Sequence, residues 1–159
     1  MSGRLGSRDV ARVIYGAVIG LALVVVLQDH PPPPGQAAAQ LIATALAVGL
    51  AELYSEAVGD AARNQRPLER EQLRPMLLSA GAVAAGAGFP AVYLLLAAIG
   101  DLEIDTAFTL AKWTGLGLVS AYGFAGARLA GLSVGRSLGH AVVIGLIGFV
   151  LVALKALVH

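Results

Sequence analysis

Five long apolar segments, separated by short polar connections, constrain this chain more than any other feature of its sequence. A helix needs about 20 largely apolar residues to cross the ~30 Å hydrocarbon core of a bilayer, and each segment has about that length. The sequence therefore predicts an all-α, polytopic membrane protein whose single domain, residues 1–159, is a bundle of five transmembrane helices. The predicted helices cover approximately residues 10–28, 37–58, 76–99, 106–129 and 134–158.

Composition agrees with this and excludes several classes of protein. Hydrophobic residues make up 57% of the chain and charged residues 13%, whereas soluble domains have about 45–50% and about 25%. The net charge of +1 lacks the basic excess of a nucleic-acid-binding protein. Since there is no cysteine, disulfides and thiolate metal ligands are excluded. The lipid bilayer is the predicted partner, and no nucleic acid is expected.

The first apolar segment has two interpretations, because arginines precede it as they do in a signal peptide. No small-residue cleavage site follows Leu27, and the chain continues directly as Gln28-Asp29-His30-Pro31. A signal peptide needs such a site. We therefore expect the segment to be retained as a transmembrane helix.

The distribution of arginine predicts the orientation. All arginines lie in the N-terminal tail, in the second connection or in the fourth, and the first and third connections have no Lys or Arg. The side that carries the positive charge is normally cytoplasmic. The prediction is a multi-pass protein of the cell membrane, with its N-terminus in the cytoplasm and its C-terminus outside.

Three acidic residues of the second segment, Glu52, Glu56 and Asp60, are spaced by four and so share one face of a helix. Asp60 lies near the cytoplasmic end, but Glu52 lies about 12 Å deeper by helix rise. A carboxylate at that depth costs several kcal/mol unless it is paired, protonated or next to a polar cavity. Glu52 is therefore expected to face the interior of the bundle, where two carboxylates would form part of a pathway for a divalent cation or a proton.

The alternative is that Glu52 pairs with a buried cation and only stabilises the bundle. Lys112, in the fourth segment, is the candidate partner, since helix rise puts it within about 8 Å of Glu52 in depth. Alternatively, the Lys112 side chain extends outward to the acidic third connection. That connection contains Asp101, Glu103 and Asp105.

No constellation of catalytic residues is found in the sequence. His30, His140 and His159 do not have the spacing of metal ligands, and phosphate-binding loops and dinucleotide fingerprints are absent. We therefore expect neither an enzyme nor a resident cofactor.

Pro90, inside the third segment, removes a backbone hydrogen bond and predicts a kink.

Several short motifs resemble the vacuolar iron transporter family of Fe²⁺/Mn²⁺ transporters. Ala51-Glu52-Leu53-Tyr54-Ser55 is similar to the Gly-Glu-Tyr-aliphatic-Ser segment of its second helix, so that Glu52 corresponds to the family's glutamate. Gly88-Phe89-Pro90 is similar to the Gly-aliphatic-aliphatic-Pro stretch, and the residues from Gly123 to Leu132 resemble the family's last two helices. The resemblance implies five transmembrane helices, a homodimer and a divalent metal cation as substrate.

Two departures from the family pattern bear on function. Ile19 stands where the first helix of the family carries an aspartate in the transport path. The family's acidic metal-binding domain is replaced by a short, arginine-rich connection over residues 61–75. Two hypotheses follow: a divalent-cation transporter that uses Glu52, Glu56 and Asp60, with possible coupling to protons, or a structural or regulatory membrane protein that has lost transport.

Overall fold

A computed structural model describes residues 2–65 and 70–158, and within these ranges the chain is helical, without strands. Residues 66–69 of the predicted arginine-rich connection, and His159, lie outside the described residues. The helices, in chain order, are α1 (Ser2–Leu27), α2 (Pro34–Asn64), α3 (Arg70–Gly88), α4 (Ala91–Ala98), α5 (Ile104–Leu129) and α6 (Val134–Val158).

The number of helices differs from the predicted five because the third apolar segment is divided. Pro90 has no N–H to donate, and α3 and α4 meet at this point with a bend of 52°. The hydrogen bond from the Val92 N–H to the Phe89 carbonyl, 3.3 Å long, begins the new helix. The predicted kink at Pro90 is therefore confirmed, and it is sharp enough to end one helix and start another.

The membrane prediction is confirmed in its coarser form. Within the described residues, two helices are able by length and composition to cross a membrane, and the bent α3–α4 pair adds a third span if it is counted as one. The two are α2 and the Val10–Leu27 part of α1. Large apolar side chains such as Val26, Leu50 and Ile99 are exposed on the outside of the bundle, as expected for surfaces that contact lipid.

Helix α1 runs through the middle of the bundle and packs mainly against α3 and α5, whereas α2 packs mainly against α3 and α4. Glycines allow α1 to approach α3 with backbone against backbone. A Cβ added at Gly16 or Gly20 would meet carbonyl groups of α3, and one added at Gly86 would lie 2.5 Å from the Val13 carbonyl oxygen. This is the close approach that small residues permit in membrane helix pairs.

One end of the bundle contains a core of apolar side chains. Val24, Leu41, Leu94 and Phe108 are fully buried there, and they come from α1, α2, α4 and α5. The acidic residues of α2 lie toward the other end, because α2 continues for more than two turns beyond Gly49. The core thus packs the helices together at one end, and the acidic residues of α2 lie toward the other.

Candidate functional site

The candidate site is an ion-pair cluster between α1 and α2. Arg12 Nε donates a hydrogen bond of 3.1 Å to Glu52 Oε1, and Arg12 Nη2 donates one of 2.9 Å to Glu56 Oε1. Since Glu52 and Glu56 lie on successive turns of one helix face, a single guanidinium reaches both. The three side chains are between a fifth and a quarter exposed, so this ion pair is shielded more than a surface pair.

With both acids ionised, Glu52, Glu56 and Arg12 sum to a formal charge of −1. One oxygen is left over, because Glu56 Oε2 is buried and has no hydrogen-bond partner within the described part of the chain. A buried acceptor without a donor costs about 1–3 kcal/mol. The site therefore has unused capacity to accept a proton, a hydrogen-bond donor or a cation.

A pocket of about 390 Å³ adjoins the cluster. Tyr15 of α1 lines one side, and α2 supplies the rest of the wall with Ala47, Val48, Ala51, Glu52 and Ser55. Most of these residues are exposed, so the pocket opens on the outer surface of the bundle. Its polar groups are one carboxylate and two hydroxyls, which are oxygen ligands of the kind that hard cations prefer.

The three acids that were predicted to share one face of α2 have different partners. Glu52 and Glu56 share Arg12, but Asp60 lies one turn further and accepts a hydrogen bond of 2.9 Å from Gln72 Nε2. This bond ties the end of α2 to the beginning of α3. Within the described residues, no group of three or more Asp, Glu, His or Cys side chains is arranged to hold a metal ion.

Lys112 has a different partner from either of the two that the sequence suggested. Lys112 Nζ donates a hydrogen bond of 3.1 Å to Gln28 Oε1, and Glu52 is bound by Arg12 instead. Gln28 follows the last residue of α1, about 24 Å of helix rise from Arg12. The lysine therefore lies at the level of the opposite end of α1 from the glutamates, and the estimate from depth alone placed it too close to them.

Sequence reasoning identified the glutamates but missed the arginine that binds them. Arg12 was counted among the positive charges of the N-terminal tail, although it falls inside the apolar window Val10–Leu27. A charge within such a window is a signal that could have been used, because it needs a partner at that depth as much as Glu52 does. His30 and His140 are both exposed.

Comparisons of this chain with known protein families, with curated proteins and with solved structures found no match.

Proposed function

We propose that this chain is a transporter of divalent metal cations that crosses the membrane five times and works as a homodimer, as in the vacuolar iron transporters that its motifs resemble. The observation that carries the proposal is the negatively charged Arg12–Glu52–Glu56 cluster beside an open pocket. Uncompensated carboxylate charge inside a membrane protein is expensive and marks ion pathways.

The five crossings are supported by helix length. Helices α5 and α6 contain 26 and 25 residues, enough for about 37–39 Å of rise at 1.5 Å per residue. The ~30 Å hydrocarbon core is shorter than this. With the α3–α4 pair as one crossing, the arginine-containing connections fall on one side, which we assign to the cytoplasm.

The homodimer is supported by charge and by the position of the pocket. Each copy of the cluster contains two glutamates, so two copies facing each other bring four carboxylates to one pathway. Tyr15 is 56% exposed and lines the pocket on the outer surface of α1 and α2. A second copy packed on this surface would enclose both pockets and exclude lipid from the ion pathway.

In this proposal each acid has its own role. Glu52 is the central carboxylate, and Glu56 is a second ligand with a free oxygen nearer the cytoplasm. Asp60, which lies one turn closer to the end of α2, half-buried and bonded to Gln72, is an entrance residue. Ile19 provides no carboxylate, so α2 supplies the negative charge of the path.

The test is Mn²⁺ uptake into proteoliposomes, with and without a pH gradient. Glu52→Gln keeps the size and polarity of the side chain but removes its charge, and we expect it to abolish uptake. Glu71→Gln is the matched control, since Glu71 is exposed in the first turn of α3 and should leave uptake unchanged. Transport at the wild-type rate in folded Glu52→Gln would contradict the assignment.

A second candidate function, a structural or regulatory membrane protein, is favoured by one observation. Arg12 already binds an oxygen of each glutamate, which is how a purely structural ion pair would be arranged. This candidate predicts that folded wild-type protein takes up no Mn²⁺, Fe²⁺ or Co²⁺, with or without a pH gradient. The same uptake experiment therefore distinguishes the two functions.

A further inference from the structure

We infer that Arg12 determines which cations the site accepts: its guanidinium is a tethered monovalent cation that a divalent ion displaces and that Na⁺ or K⁺ does not. The inference rests on the proposed function, because it concerns the same pair of glutamates. The sequence suggested that Arg12 was only a positive charge of the N-terminal tail. The inference makes it a residue of α1 that determines ion selectivity.

The geometry of the guanidinium makes it a strong occupant of the site. Its Nε and Nη2 atoms, 3.1 and 2.9 Å from their acceptors, donate from one rigid plane to two carboxylates. Hydrogen bonds between ionised partners are about twice as strong as neutral ones, and the planar guanidinium loses little conformational freedom in making them. The other carboxylate oxygen of Glu56 has no hydrogen-bond partner among the residues that the structure describes, so the site is occupied but not saturated.

Competition with this tethered group depends on the charge of the incoming ion. Na⁺ and K⁺ carry the same charge as the guanidinium and bring no fixed N–H donors. They also compete with a group whose tether gives it an effective concentration on the order of millimolar or more. A divalent ion has twice the Coulomb attraction to the two carboxylates at a given distance, and it prefers carboxylate oxygens as ligands.

Release of Arg12 from the two glutamates leaves the main packing of α1 and α2 in place. The ion pair joins α1 to α2, but each of these helices packs mainly against α3, so the bundle does not depend on the pair alone. About a fifth of the Arg12 side chain is exposed, and its long apolar stem allows the charge to move toward the interface. The departing positive charge is then replaced by the arriving ion.

The experiment measures Mn²⁺ uptake into proteoliposomes against K⁺ concentration for wild type, Arg12→Gln and Arg12→Lys. Arg74→Gln is the control, because it removes an exposed arginine on the proposed cytoplasmic side. In Arg12→Gln we expect the apparent KM for Mn²⁺ at low K⁺ to fall by about tenfold, because this variant lacks the charged side chain that competes with Mn²⁺ for the two carboxylates. Uptake by this variant should also become sensitive to K⁺ at ~0.15 M.

Wild type and Arg74→Gln should keep a higher KM and be insensitive to K⁺. Arg12→Lys should lie between them and Arg12→Gln, because an ammonium is a point charge without the planar fork. If Arg12→Gln does not fold, Arg12→Lys tests the same direction of change. An unchanged or higher KM in the folded variants, together with unchanged insensitivity to K⁺, would overturn the inference.

Failure of the proposed function has a different signature. If no folded variant takes up Mn²⁺, binding of Mn²⁺ to the detergent-solubilised proteins is measured by electron paramagnetic resonance. Tighter, Glu52-dependent binding in Arg12→Gln than in wild type would support the role of Arg12 while refuting transport. No difference in binding between these two proteins would overturn the inference as well.

Discussion

Replacing Gly86 by alanine tests the close packing of α1 against α3. A Cβ at Gly86 would lie 2.5 Å from the Val13 carbonyl oxygen and 2.9 Å from the Ala17 nitrogen. Both atoms belong to the backbone of α1, so neither moves by a change of rotamer. Gly81, in the same helix, has no heavy atom within 4 Å of its added Cβ and provides the matched control.

The expected loss of stability follows from these distances. A carbon atom normally lies about 3.3–3.6 Å from a carbonyl oxygen, so the two helices must separate by roughly 1 Å. Overpacking of this kind costs about 1–3 kcal/mol. Alanine gains up to about 1 kcal/mol over glycine in helix propensity. Because both variants share this gain, the difference in unfolding free energy between Gly86→Ala and Gly81→Ala isolates the packing cost, about 1–3 kcal/mol.

The measurement is unfolding in mixed detergent micelles with increasing dodecyl sulfate, followed by circular dichroism. Gly81→Ala is expected to be as stable as wild type or slightly more stable, and Gly86→Ala less stable. Equal stability of the two variants, or a more stable Gly86→Ala, would refute the backbone-to-backbone contact between α1 and α3.

Two further predictions concern orientation and the ion pair. Because the chain has no cysteine, a single cysteine at Asp101 should react with an impermeant maleimide added to intact cells, whereas one at Asn64 should react only after permeabilisation. The reverse pattern would contradict a cytoplasmic N-terminus. In double-mutant cycles of stability, with glutamine as the replacement, Arg12 and Glu52 should couple by about 0.5–3 kcal/mol, and Lys112 and Glu52 should not. Coupling of Lys112 in place of Arg12 would contradict the arrangement of the cluster.

The helices were predictable because they depend on local sequence. Apolar length alone located the segments, and Pro90 marked the break between α3 and α4 since it lacks an N–H. The ends were less accurate: α2 extends to Asn64 and α3 begins at Arg70, both beyond the apolar core. Polar residues continue these helices by backbone hydrogen bonding, which a hydropathy criterion does not detect.

The partners of the charged residues were not predictable from depth. The spacing of Glu52 and Glu56 correctly indicated one helix face, but the cation that binds them lies 40 residues earlier in the chain. The depth estimate placed Lys112 too close to Glu52, no depth was estimated for Arg12, and depth by itself gives no direction around the bundle. The packing of the helices sets that direction. The sequence encodes the packing in small residues such as glycine, but it does not show which helix each of them contacts.

The glycines of the α1–α3 contact affect the geometry of the charged residues in the candidate site. The carbonyl group closest to an added Cβ at Gly86 belongs to Val13, the residue next to Arg12. Gly49 of α2 also lies close to α3, although less tightly, with its added Cβ 3.1 Å from the Ala80 carbonyl oxygen. Helix α3 thus sets the position of α1 on one side and of α2 on the other, and so the distance that the Arg12 side chain must span to reach Glu52. A separation of about 1 Å at Gly86 would lengthen hydrogen bonds that weaken beyond about 3.2 Å. We therefore expect Gly86→Ala, and not Gly81→Ala, to change the affinity of the site for cations as well as the stability of the bundle.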